Sequence, residues 1–453
     1  MIQSTYDMIN FGSDFMLATD FYTDMLQGII LKRRKIQYGR KFEVITLSGF
    51  PGTGKTTSVL KYCDTHSGCL YFSFKNTEHS LALKIFAKKY PKIFSDCNSW
   101  NSFFSQLYEY CKNRSTVVFF DSFKENTKSS FQDELMKHFK GTKHLGVFVF
   151  IKDECGRNMF TPLHPAEIAK IYPQLSNEDV IRLRSVTGGI LPLVDLYNPE
   201  LSFDENLALF LKDGFYYSYL AERIFSDLFR TPDSYNTLML GIALGKTKLS
   251  ELAEFSGFAL NKCDKYLNVI CEKGLISSAN SRYRITNEYF YMWYRYKFMG
   301  IKIHPDKIKK YIDTVLFKRT FKRECLYWLL NSRFAPRYTE GNFWVSENIY
   351  HNVKIKDEVF DYIYDYGGDT IFVKIFSSLT DHFTKENFVR FKKAADSFNT
   401  TQNSTYILFS VHRFSDYCWD MSKKYDNLRL VQLTSLLPGI NDEDGYREEE
   451  LFI

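Results

Sequence analysis

Residues 44–62 read VITLSGFPGTGKTTSVLKY, and within them stands Gly49-x-x-x-x-Gly54-Lys55-Thr56. This is the phosphate-binding P-loop pattern, and its neighbours supply the context that the pattern needs. Val44 to Ser48 is apolar and β-branched, the composition of a buried strand, while Thr57 to Tyr62 suits the first turns of a helix. A strand that turns through glycines into a helix presents backbone N–H groups in a concavity at the positive end of the helix dipole. Glycine at 49, 52 and 54 allows close approaches that a Cβ would block. In such a cradle Lys55 reaches the β- and γ-phosphates of a nucleoside triphosphate, and the Thr56 hydroxyl ligates Mg²⁺. The expected contact set is therefore Gly49, Pro51, Gly52, Thr53, Gly54, Lys55, Thr56 and Thr57, with ATP and Mg²⁺ as the ligands. The competing reading is a glycine-rich turn that binds nothing, and the flanking strand and helix weigh against it.

The rest of the composition narrows the classes. A chain of 453 residues suggests about two to four domains. Aromatic residues make up 17% of it, with 42 Phe and 31 Tyr, and their even spread points to Phe-rich cores before base-stacking platforms. A net charge of +6 is a slight lean toward acidic partners. The nine cysteines include no C-x-x-C pair, so neither a zinc site nor a disulfide framework is indicated, and free thiols fit a reducing cytosol. The start of the chain, MIQSTYDMINFGSDF, has no basic n-region of a signal peptide. No apolar run approaches the roughly 18–20 residues that span a bilayer. The expectation is a cytoplasmic protein with no membrane partner.

Segment 1–41 reads as partly amphipathic helix ending in the cluster Lys32, Arg33, Arg34 and Lys35, which is more simply a solvated helix face than a phosphate contact. From Phe42 short apolar strands alternate with helical stretches, the pattern of a parallel sheet with helices on both faces. Cys69 to Phe74 is a strand; Ser80 to Lys89 and Trp100 to Asn113 are helices. Val117 to Phe120 then ends in Asp121, the Walker B position, where a carboxylate at the sheet's carboxyl edge orients Mg²⁺ or its waters. The next residue is Ser122, where many hydrolysing P-loop ATPases place a water-polarising glutamate. Glu125 would take that role if the turn folded it back. Gly146 to Ile151 is a further strand, leading to Lys152, Asp153 and then Arg157, which reads either as an arginine finger or as a surface arginine.

Beyond it come TPLHPAEIAKIYPQL and EDVIRLRSVTGGILPLV, the latter holding Thr187-Gly188-Gly189-Ile190-Leu191-Pro192. With these motifs the chain resembles the archaeal-type AAA-like ATPases of the signal-transducing (STAND) class of P-loop NTPases, whose "TGGIP" turn is met here with one residue inserted before the proline. The resemblance implies that this turn lies close to the nucleotide and links it to a helical domain. It continues through a winged-helix pattern, with Leu249 to Glu254 as support helix and Asn261 to Lys273 in the recognition position. It also covers Arg284 to Phe298, RITNEYFYMWYRYKF, where Asn287 stands for the family's usual aspartate. Lys262 and Lys265 flank Asp264 on the recognition helix, a poor charge balance for DNA, so the module reads either as a nucleic-acid reader or as a packing and oligomerisation unit.

Lys307 to Arg323 is the most basic stretch, through Lys309, Lys310, Lys318, Arg319, Lys322 and Arg323. The last third resembles the family's restriction-endonuclease-like domain. The resemblance places a nuclease remnant at Glu324, Asp361 and Lys374, with Phe372 where a metal-binding acid would stand. A missing carboxylate removes a metal ligand, so the domain is expected to be an inactive relative, with Asp361 and Lys374 free to pair as a salt bridge. A variant site through Asp365 or Asp369 is the alternative. The expected organisation is a helical segment (1–41), an α/β P-loop NTPase core (42–200), an all-α and winged-helix domain (201–300), a basic helix with an α/β restriction-endonuclease-like domain (301–437) and an acidic tail (438–453). Three functions follow. The first is an ATP-binding, slowly hydrolysing switch with Lys55, Asp121, Glu125 and Arg157 as its catalytic set, working with a protein partner or as a homo-oligomer. The second is a nucleic-acid-binding scaffold with a structural nucleotide, which the family's range sets in prokaryotic defence or mobile elements. The third is a metal-dependent nuclease.

Overall fold

The computed structural model describes residues 23–24, 26–31, 44–49, 52–75, 77–95, 97–122, 131–152, 161–212, 216–229, 231–279, 281–298, 305–332, 349–366, 369–398 and 403–437. Pro51, Glu125, Asp153, Arg157, the 32–35 basic cluster and the acidic tail lie outside the described residues, as do the side chains of Asp365 and Asp369.

The first sheet has four parallel strands in the order β1-β4-β3-β2, where β1 is Val44–Ser48, β2 Cys69–Ser73, β3 Thr116–Asp121 and β4 Gly146–Lys152. Strands buried on both faces read as continuous apolar runs, which is why TVVFFD and GVFVFIK lack a polar alternation. The period of two still sorts their side chains. Val117, Phe119, Val147, Val149 and Ile151 face one core, and Val118, Phe120, Phe148 and Phe150 face the other. Helices α1 (Lys55–Thr65), α2 (His79–Lys89), α3 (Trp100–Lys112) and α4 (Phe131–Phe139) connect these strands. Helices α2 to α4 cover the second face with Phe86, Phe103, Phe104 and Phe131. Phe72 stacks on Phe120 with ring centroids 5.5 Å apart, so the phenylalanine excess here is core. Helix α1 lies on the first face with Val59 and Tyr62, beside Leu26 and Ile30 of the helical residues 26–31.

That first core runs on into α5 (Pro165–Ile171), α6 (Asn177–Thr187), α7 (Leu191–Val194), α8 (Phe203–Leu211) and α9 (Tyr216–Leu228). Next come α10 (Pro232–Ala243), α11 (Leu249–Ser256) and α12 (Leu260–Glu272), then the antiparallel hairpin β5 (Ile276–Ala279) and β6 (Arg282–Ile285). Helix α13 (Glu288–Trp293) passes into a π-helical stretch, Tyr294–Phe298. Helix α14 (Pro305–Tyr311) does the same through Ile312–Leu316 before α15 (Phe317–Asn331).

The second sheet has five strands in the order β11-β10-β9-β8-β7, from β7 (Ile349–Ile355), β8 (Glu358–Tyr366), β9 (Asp369–Phe376), β10 (Asn403–Ser410) and β11 (Leu428–Gln432). Strands β7, β8 and β9 form an antiparallel meander, while β9, β10 and β11 are parallel through α16 (Lys385–Asp396) and α17 (Asp416–Lys424). One face packs on α16 and α17 around Phe360, Phe372 and Phe391. The other meets the central helices, where Trp328 of α15 sets its ring edge-on to Phe409 at 5.5 Å. No helix among the described residues is long and apolar enough to cross a membrane.

Candidate functional site

The loop between β1 and α1 lies at the carboxyl edge of the parallel sheet, the usual ligand edge of such sheets. Gly54 caps α1 in the left-handed region at φ 81°, which a side chain rarely adopts. A Cβ there would also fall 2.2 Å from Leu191 Cδ2. Lys55 is buried, and its Nζ donates to the Gly49 carbonyl at 2.9 Å, folded over its own loop. Thr56 Oγ1 donates to Asp121 Oδ2 at 2.8 Å, so the expected hydroxyl and carboxylate do meet, 65 residues apart in sequence.

Asp121 is 3% exposed and accepts two further hydroxyl donors, Tyr71 OH on Oδ2 at 2.6 Å and Ser122 Oγ on Oδ1 at 3.2 Å. Among the described residues it forms no ion pair. Hydroxyl and carboxylate oxygens are the ligands a hard divalent cation takes, so the donor set of Thr56 and Asp121 fits Mg²⁺. No cluster of three or more His, Cys, Asp or Glu side chains that could hold a metal exists among the described residues, so phosphate oxygens and waters would complete such a shell. Ser122 adopts φ 58°, a conformation that is uncommon outside glycine, while its N–H bonds the Ile151 carbonyl at 3.2 Å. It supplies no base. Tyr71 was not legible in the motif, because the pairing of β2 with β3 brings it to Asp121 across 50 residues of chain.

The glycine pair after α6 closes the site from the other side. Its inserted residue, Leu191, packs on Gly54, and Ile190 and the α9 residue Ile224 lie against the position a Cβ would take on Gly52. The turn is pinned from behind: Leu163 N–H donates to Gly189 O at 2.8 Å, and Asn287 Nδ2 donates to Gly188 O at 2.9 Å. Gly188 sits at φ 63°, and a Cβ on it would fall 1.8 Å from Asn287 Oδ1. Lys75, just past β2, pairs with Asp227 of α9 at 2.8 Å.

Behind the turn lies a buried cluster of charge. Glu288, 1% exposed, pairs with Arg184 at 3.2 Å, Arg323 at 3.0 Å and Arg319 at 3.5 Å. Burial alone would push the Glu288 carboxyl up, but the Arg323, Arg184 and Arg319 guanidiniums outweigh it and hold it at about 2. Burial, with Arg323 beside it, brings Arg184 down to about 10.

The ion pairs at the nuclease-like residues differ from the one expected. Glu324 lies against His164 Nδ1 at 3.6 Å and Arg323 Nε at 3.8 Å. Asp361 is taken by Lys322 at 2.5 Å and by the Ile375 N–H at 2.7 Å. Lys374 pairs with Glu358 at 2.6 Å, so the expected Asp361–Lys374 bridge is replaced by two others. The reason is that α15 packs on the sheet and delivers its own ammonium group to Asp361, while Arg390 and Lys374 both neutralise the buried Glu358. The basic stretch divides: Lys310 and Lys318 are exposed, while Lys309, Arg319, Lys322 and Arg323 are engaged by partners. Lys309 pairs with Asp204, Arg319 also donates to the Ile285 carbonyl, and Lys322 and Arg323 are engaged as above.

No family model matches the chain. It is 22% identical over 301 residues to an uncharacterized protein of Methanocaldococcus jannaschii, a match spanning 57% of this chain and 65%, less than two thirds, of that protein. Among solved structures it is similar to a Walker-type ATPase of Pyrococcus abyssi (11% identity, 58% of this chain and 94% of that one, TM-score 0.40). It is also similar to Cdc6p of Pyrobaculum aerophilum (15%, 66% and 94%, TM-score 0.28) and to the Thermotoga maritima RuvB Holliday junction branch migration motor (12%, 61% and 96%, TM-score 0.29). At these identities and scores no ligand or activity transfers to this chain.

Proposed function

We propose that the chain is an ATP-operated switch that hydrolyses its nucleotide slowly. The observation that carries this is the Thr56–Asp121 hydrogen bond at the carboxyl edge of a parallel sheet, next to Lys55 folded over a glycine loop that opens a helix. The loop N–H groups and the α1 dipole would take the phosphates. Lys55 would exchange the Gly49 carbonyl for phosphate oxygen. Mg²⁺, held through Thr56 and Asp121, would neutralise charge between the β- and γ-phosphates. Slow turnover follows from Ser122, since a hydroxyl is a poor base and this one already donates to Asp121.

The switching element is the Gly188–Gly189 turn. Ile190 and Leu191 rest against the loop glycines, so a displacement of the loop by phosphate is felt by the turn and by the helices it is pinned to. A ligand shifts such an equilibrium only through unequal contacts with the two states, and the γ-phosphate supplies that difference. Within this reading α10 to α12 with the β5–β6 hairpin are a winged-helix unit, and the second sheet with α15 and α16 is a restriction-endonuclease-like unit kept for assembly. Lys262 lies over the Phe258 ring at 4.6 Å and the Tyr266 ring at 5.6 Å, which ties it to its own surface and favours packing against a protein partner or a second copy over duplex reading.

Binding of labelled ATP by the full chain beside Lys55→Ala tests the proposal. Loss of binding by at least about tenfold is expected, on the scale of a removed charge–phosphate contact. Equal binding by both proteins would eliminate it. The scaffold reading with a structural nucleotide draws on the same Ser122, and turnover that responds to added DNA would separate the two, since a structural nucleotide does not turn over.

A further inference from the structure

We propose that Tyr71 is a positioning residue for the metal of this site: its hydroxyl sets the orientation in which Asp121 meets the cation. The inference rests on the nucleotide reading above and adds a residue that no P-loop or Walker B pattern contains.

Oxygen Oδ2 of Asp121 takes two hydroxyl donors, Tyr71 at 2.6 Å and Thr56 at 2.8 Å. They differ in what a metal would do to them. Thr56 is itself a ligand candidate, so its hydroxyl would be shared between cation and carboxylate. Tyr71 has no such second duty, and its contact remains whatever the loop holds. The phenol is also fixed more firmly than a surface tyrosine. Its strand is the edge of the sheet, where backbone groups would otherwise face solvent. Instead Tyr90 OH receives the Tyr71 N–H at 3.0 Å, Lys89 Nζ donates to the Tyr71 carbonyl at 3.0 Å, and the same ammonium lies 5.0 Å from the centre of the Tyr71 ring.

A carboxylate with one donor removed is freer to rotate, and metal sites depend on such outer partners. The hydroxyl-to-carboxylate bond is charge-assisted and short, the strong class. Among the described residues the Tyr71 hydroxyl bonds Asp121 and no residue of the glycine loop, so its removal leaves the loop's own contacts intact.

The test uses the full chain and Tyr71→Phe, which keeps the ring, its packing and the Lys89 contact. Mn²⁺ serves as the spectroscopic probe in the complex with a non-hydrolysable ATP analogue, and Asp121→Ala marks complete loss of the carboxylate. Nucleotide binding is measured separately with a metal chelator present. Tyr71→Phe is expected to weaken Mn²⁺ binding about tenfold, to alter the Mn²⁺ paramagnetic resonance line shape, and to leave metal-free nucleotide binding unchanged. Wild-type Mn²⁺ affinity and line shape in Tyr71→Phe would overturn the inference while the nucleotide reading stands. So would an equal loss of metal-free nucleotide binding, since that marks a structural defect of the loop. A wild-type chain that takes up no nucleotide overturns the reading of the site and this inference with it.

Discussion

Asn287 shows how one atom decides a contact. It stands where the resembled family has an aspartate, and its two side-chain atoms do different work. Nδ2 donates to the Gly188 carbonyl at 2.9 Å, and Oδ1 accepts the Tyr289 N–H at 3.0 Å, capping α13. An aspartate could keep the cap but would turn a carboxylate oxygen toward a carbonyl oxygen. Asn287→Asp is therefore expected to destabilise the fold by about 1–3 kcal/mol, the cost of leaving a buried partner unmade. Thermal unfolding of the two proteins checks this, and an unchanged midpoint would show that the Leu163–Gly189 bond holds the turn without Asn287. Leu191 belongs to the same logic. The residue inserted in the motif is the side chain that rests on Gly54 of the loop.

Helix α15 is the element whose role changed most between sequence and structure. In sequence it holds the end of the most basic stretch of the chain, and in the structure Arg319, Lys322 and Arg323 point at Glu288 and Asp361. Within about two turns one helix grips the first residue of α13, the second sheet and, through Glu324, His164 ahead of α5. The π-helical stretch Ile312–Leu316 directly before it shifts the register of the faces, so the cation spacing alone does not show which side they occupy. Glu288 gives this arrangement a pH dependence. Its carboxyl ionises near 4.5 when free and is held at about 2 when folded. The folded state thus binds fewer protons, and its stabilisation is complete above pH 4.5 and is lost as pH falls toward 2. A shift of that size corresponds to about 3 kcal/mol. Glu288→Gln should lose about 3–5 kcal/mol at neutral pH, because it strands buried guanidiniums, and should flatten the acid limb of the stability curve. Urea unfolding from pH 7 down to 3 measures both. An unchanged acid limb in the variant would move the proton uptake to another group.

For the molecule as a whole, the first core is continuous from the phosphate loop's sheet, through the central helices, to one face of the second sheet. Under the proposed switch, such continuity is the route by which nucleotide binding would reach the other elements. Hydrogen exchange with and without the ATP analogue should then change protection in the 188–194 turn, in α9 and in α15. A change confined to the phosphate loop would count against the switch. The second sheet itself is expected to leave DNA and RNA uncut in Mg²⁺ or Mn²⁺, since Lys322 occupies Asp361 and position 372 carries phenylalanine. Metal-dependent cleavage abolished by Asp361→Ala would restore the nuclease reading.

Local patterns carried the chemistry of the first site. The glycine spacing, the lysine and threonine that follow it, and an apolar strand ending in Asp121 each depend on neighbours in the chain, and so could be read before any fold was known. So could the parallel sheet, because doubly buried strands announce themselves as unbroken apolar runs. The partners drawn from far along the chain could not: Tyr71 on Asp121, Asn287 on Gly188, Lys322 on Asp361 and Lys374 on Glu358. A charged side chain in a sequence has many possible partners, and which one it meets is set by strand order and by the face a helix buries. Those are properties of the packed chain, and they turned Arg319, Lys322 and Arg323 toward buried acids while Lys310 and Lys318 stay exposed.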